Sequence, residues 1–126
     1  MKFNFITKLK IVLITGLLLS VTSIHAKGYL TSLNGSDVVI TKVFNHGSGA
    51  VTLYISGTIL NPDNCSGTTI VHLKGDLPGH EHMIASALTA FTAGKKVGLY
   101  SQGCEIIPFW GGVHTRPIIN NLWISN

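Results

Sequence analysis

The chain has 126 residues, 45% hydrophobic and only 11% charged, with two cysteines and a formal charge of +4. Three of its nine basic residues, Lys2, Lys8 and Lys10, fall in the first ten positions; beyond residue 26, six basic residues against five acidic ones leave +1. That balance excludes a nucleic-acid surface, which needs clustered lysine and arginine. The one adjacent basic pair, Lys95-Lys96, falls at a predicted helix end.

The first elements in chain order belong to a leader. The early lysines form a positive n-region, and Ile11 to Val21 is an apolar run of eleven residues. A bilayer span needs about 20. Ile24 and Ala26 stand where a signal peptidase reads. The pattern predicts a secretory signal peptide over 1–26, an exported protein (periplasmic or secreted), and no membrane span after cleavage. Residues 27–126 then form one small domain, with little apolar surface to spare.

Val38 to Phe44, VVITKVF, is β-branched and aromatic and predicts a strand. NHGSG, Asn45 to Gly49, is a turn. Ala50 to Leu60 alternates, with Val51, Leu53 and Ile55 opposite Thr52, Tyr54 and Ser56, which makes it a half-buried strand paired with the first. Gly57 marks a bulge or bend. NPDNCSG, Asn61 to Gly67, is dense in turn residues, and Thr68 to Gly75 is a third strand.

A helix begins within DLPGHEH and runs to about Ala93, with Met83, Ile84, Ala87, Leu88 and Phe91 sharing one face. Gly94 is placed for a left-handed cap, and Lys95 and Lys96 lie near the negative end of the dipole. Lys96 to Ser101 is the fourth strand, Gln102 to Pro117 a long loop, and Ile118 to Ser125 the last strand, with apolar residues on both of its faces.

An exported chain meets an oxidising compartment, so Cys65 and Cys104 read as a disulfide. Three strands, one helix and two strands is a mainly β class with one helix. The order β-β-β-α-β-β is that of an OB-fold-like five-stranded barrel; another α+β sheet with one packed helix is the alternative.

The segments GTILNPDNC, SALTAFTAGKKVGLYSQGC and PIINNLWIS resemble a family of small exported, mostly uncharacterised bacterial proteins over about Val38 to Ser125. More distantly, the helix–strand unit is similar to the B subunits of subtilase-cytotoxin, typhoid-toxin and pertussis-like AB5 toxins. The resemblance implies an OB-fold that assembles as a homo-oligomer, a pentameric ring, beside an A-subunit partner, and binds a glycan. Those subunits hold sialylated sugars with a Ser- and Tyr-containing segment before their first cysteine. This chain has TILNPDNC there, so none of those site residues carries over.

Catalytic motifs are missing: there is no G-x-S-x-G, S-x-x-K or H-E-x-x-H. His80 and His82, two apart on a helix, occupy different faces and make a poor metal pair. His72, between Val71 and Leu73, reads as a packed or edge histidine. Asp63 reads as turn chemistry, Asp76 as a cap and Glu81 as a dipole partner; Asp37 and Glu105 have no assigned role. No cofactor, metal or catalytic role is expected.

The candidate binding surface is the loop between the last two strands. OB-folds use it, with the first hairpin loop, to hold oligosaccharides. It carries Phe109, Trp110, His114 and Arg116. The rings can stack on a sugar, and Arg116 can pair with a carboxylate such as that of a sialic acid. The competing role for Phe109 and Trp110 is to cover the core. Tyr54 and Trp123, if exposed, come second. The reading is a secreted, non-enzymatic binding module for a glycan or cell-surface ligand. The alternative is a periplasmic protein–protein interaction domain, such as an inhibitor of a hydrolase.

Overall fold

The computed structural model describes residues 28–107 and 112–126. The expected leader, and with it Lys27, lies outside the described residues, as do Phe109 and Trp110. The elements are β1 (Gly28–Tyr29), β2 (Val39–Asn45), β3 (Val51–Ser56), β4 (Ile70–Leu73), α1 (His80–Ala93), β5 (Lys96–Ile106) and β6 (Thr115–Ser125). The class is mainly β with one helix, as expected.

The strands form one six-stranded sheet in the order β1-β5-β2-β3-β4-β6, and β5 also pairs with β6. Strands β2, β3 and β4 are an antiparallel meander, in which Leu53 faces Val43 on one side and Val71 on the other. β4 meets β6 in parallel, His72 beside Ile118. β5 pairs antiparallel with β1, β2 and β6. The pairings therefore return to their start, β5–β2–β3–β4–β6–β5.

Alternation produces the core. Leu30, Val38, Leu53, Val71, Leu73, Val97, Leu99 and Ile119 are fully buried. Each such side chain stabilises the fold by about 1.5–3 kcal/mol through apolar burial. The helix adds Met83, Ala87 and Ala90. This narrows the expected helix face: Ile84 is only half-buried, and Leu88 and Phe91 are exposed. The small side chains at 87 and 90 let the helix approach the sheet, which turns the bulky positions outward.

Helix α1 starts at Gly79 with no side-chain cap, so Asp76 does not cap it, while Glu81 does lie in the first turn. It ends at Gly94, at φ 62°, the left-handed conformation that glycine adopts most readily. The amide of Lys95 then donates to the Ala90 carbonyl at 2.8 Å. Lys95 and Lys96 follow the cap, and no basic residue sits in the last turn itself.

The largest departure from expectation is at the end of the chain. β5 continues to Ile106 and β6 begins at Thr115. Half of the expected loop, residues 102–106 and 115–117, is therefore strand, with the antiparallel pairs Cys104–Pro117, Glu105–Arg116 and Ile106–Thr115. Register shifts flank Ser101, where Tyr100 faces Asn121 but Ser101 faces Ile119. This step skips Asn120, so the inward parity of β6 changes there. The bulge accounts for apolar residues that alternate both ways. Ile119 and Leu122 face the core, Ile118 is buried beside His72, and Trp123 faces outward opposite Gly98.

Candidate functional site

The NPDNCS segment closes on itself and is tied to the sheet at Asp63, Cys65 and Ser66. Asn61 makes the turn: its side-chain oxygen accepts from the Cys65 amide at 2.8 Å and its NH2 donates to the Cys65 carbonyl at 2.9 Å. Asp63, expected to do this, reaches across instead. Its Oδ2 accepts from the Ser101 hydroxyl and, at 3.1 Å, from the Gly103 amide, where β5 is irregular and Gly103 has φ 92°. Cys65 and Cys104 form the disulfide, with Cα atoms 5.6 Å apart. Ser66 then clamps β6: its amide donates to Thr115 Oγ1 at 2.9 Å and its Oγ accepts from the Thr115 amide at 3.2 Å.

This clamp positions Arg116. It sits on β6 rather than in a loop, and its half-buried side chain lies over Gly67. A Cβ on Gly67 would overlap Nη1 and stand 3.2 Å from Cζ, so glycine there makes room for the guanidinium. The register neighbour of Arg116 is Glu105. That carboxylate is held by Lys74 Nζ at 3.0 Å, in an exposed pair. The pair raises the Lys74 pKa above its ordinary value, chiefly through the hydrogen bond to Glu105. Among the described residues no carboxylate pairs with Arg116. Its side chain lines a cavity with His114, Gly112, Ile106 and Ile107.

The structure thus brings Arg116 and His114 together and leaves Tyr54 elsewhere. Tyr54 is half-buried on β3, two strands from β6 through β4, with Lys42 Nζ 4.8 Å from its ring centroid. Asp37, which had no assigned role, accepts from the amide and hydroxyl of Thr58, each at 2.9 Å. These two bonds, the amide first, hold its carboxyl below the usual range. The roles of Ser66, Gly67 and Thr115 carry no local sequence signal, because each depends on a partner some 50 positions away.

His72 is buried beside His46, with ring centroids 6.4 Å apart. Its pKa falls below the ordinary 6.5, first through burial and then through His46. His46 Nε2 is 2.7 Å from Thr52 Oγ1. Among the described residues no group of three or more His, Cys, Asp or Glu could hold a metal. No helix among them is long and apolar enough to cross a membrane. No family model, curated protein or solved structure matches this chain.

Proposed function

We propose that the domain is a non-enzymatic binding module that takes a glycan bearing a carboxylate at the end of the β5–β6 hairpin. The carrying observation is Arg116. Its guanidinium is preset over Gly67, lines a cavity beside His114, and has no carboxylate partner among the described residues. A planar guanidinium fixed in place is suited to bidentate capture of a carboxylate.

The pairing circuit, the parallel β4–β6 contact and the helix between β4 and β5 support an OB-like barrel. In that fold the loop between the last two strands is a ligand loop. The leader pattern and the Cys65–Cys104 disulfide support an exported protein in an oxidising compartment. The resemblance to AB5 B subunits favours a homo-oligomer, with a pentamer and an A-subunit partner as its strongest form.

On a glycan array, the protein should retain sialylated glycans, and Arg116→Gln should weaken retention about tenfold or more, the loss of one charge-assisted bidentate pair. Unchanged retention in the variant would remove Arg116 from the site. The interaction-domain alternative is favoured by Ile106 and Val113, 47% and 81% exposed at the same hairpin end. In that reading Val113→Asp, rather than Arg116→Gln, abolishes binding, and the bound species is a protein.

A further inference from the structure

The geometry points to a second ligand surface, a stacking platform for a neutral pyranose, on the outer face of β1, β5 and β6. Val97 and Leu99 are buried in the core, so Gly98 and Tyr100 face the other way. Gly98 pairs with Trp123, while Tyr100 pairs with Asn121 on one side and Tyr29 on the other. All five residues therefore share one face.

Gly98 is the unusual member, because glycine weakens the interior of a strand. A Cβ there would overlap three atoms of the Trp123 indole, Cε2, Cζ2 and Nε1. The missing side chain is the seat of the ring, which rests on the backbone of β5. Tyr29 stands edge-on to it, with centroids 6.2 Å apart at 83°, and edge-on to Tyr100 at 5.1 Å. Tyr29 remains 43% exposed and Asn121 is exposed beside it. The side-chain NH2 of Asn120 donates to Asn121 Oδ1 at 3.1 Å and so orients it.

These groups match one class of ligand. The negative face of an aromatic ring attracts polarised C–H groups, which line the apolar side of a pyranose. The Asn121 amide and the tyrosine hydroxyls offer hydrogen bonds to its hydroxyl rim. The cluster itself is built from hydroxyls, an amide and an indole rather than ions, which selects a neutral sugar.

A second copy of the chain is a weaker occupant. A full aromatic side chain has about 150–250 Å² of surface. Three partly covered rings fall below the ~800 Å² per partner of a stable interface. The platform is also distinct from Arg116: Trp123 lies seven residues further along β6, about 20 Å at ~3.3 Å per residue.

The test is an array of neutral glycans (hexose, N-acetylhexosamine and fucose residues, with no acidic sugar), followed by NMR of the retained compound. The Trp123 indole N–H resonance is assigned through Trp123→Phe. The expected result is retention of a neutral glycan with a saturable shift of that resonance. Gly98→Ala, which lifts the indole off the strand, and Asn121→Ala, on the exposed rim, should each weaken retention about tenfold, with the circular dichroism of the parent.

Asn121→Ala keeps the test decisive if Gly98→Ala fails to fold. Failure to retain any neutral glycan overturns the proposal, as does equal retention by a folded variant. A dimer in light scattering that Asn121→Ala dissociates would show that a second copy covers this face, and would overturn it too. Retention of a carboxylated glycan that depends on Arg116 reports on the hairpin end alone, so the two readings fail separately.

Discussion

Replacing both Cys65 and Cys104 by alanine isolates what the covalent link contributes. The bridge joins residues 39 positions apart. Closing a loop of that size removes conformational entropy from the unfolded chain worth about 4 kcal/mol at 25 °C. The folded side changes little, because non-covalent ties hold the same segment. Asn61 binds Cys65, Asp63 binds Ser101 and Gly103, and Ser66 binds Thr115. The loss should therefore appear almost wholly as a wider unfolded ensemble. Urea titration of the oxidised parent and the double variant measures it. The midpoint should fall by the equivalent of about 4 kcal/mol, and the slope m should rise, since an uncrosslinked chain exposes more surface. The melting temperature should drop by about 15–30 °C. A loss under about 1 kcal/mol with unchanged m would refute the argument. Backbone amide NMR shifts that change at zero urea well away from residues 65 and 104 would refute the claim that the polar ties suffice.

Asp63→Ala deprives the buried Ser101 hydroxyl and the Gly103 amide of their acceptor, and should cost about 1–3 kcal/mol in thermal melting. No loss would mean that these donors find water. Gly94→Ala forces a side chain into a left-handed backbone at φ 62° and should cost about 1–2 kcal/mol, read by the same melt. The depressed pKa of His72 means that the unfolded chain takes up a proton first as pH falls through 6.5. Its contribution is full above 6.5 and declines below it until the folded pKa is passed. The groups acting on this ring are His46 and Lys74, which disfavour its charge, and Glu105, which favours it. His72→Gln should flatten the stability–pH profile in that window; an unchanged slope would assign the dependence to another group.

Local patterns in the sequence were enough to read β2, β3, β4, the helix, its glycine stop and the disulfide, because each rests on alternation, helical spacing or compartment chemistry. The β5–β6 ladder was hidden by the composition of Gln102 to Pro117. Its glycines and prolines read as loop, while the cross-strand partners that stabilise Glu105 and Arg116 as strand lie on the opposite side of the hairpin. The same reason concealed the seat of Arg116. Nothing near Gly67 signals a guanidinium from residue 116. Trp123 was visible as a large ring on an ambiguous strand, but its partner Gly98 became meaningful only through the register that the bulge at Asn120 sets.

Strand β5 pairs with β1, β2 and β6, and β6 is also the parallel partner of β4. The consequence is kinetic. A chain emerging from its N-terminus can form the β2–β3–β4 meander early, yet the meander keeps two open edges until residues beyond 95 arrive. Such distant pairing places folding in the range of roughly milliseconds to seconds typical of non-local β topologies. It also makes the last step close to all-or-none, because β6 completes two seams together. Removing the final eleven-residue strand would leave β4 paired with β3 alone and strip β5 of its longest pairing, exposing edges that invite aggregation.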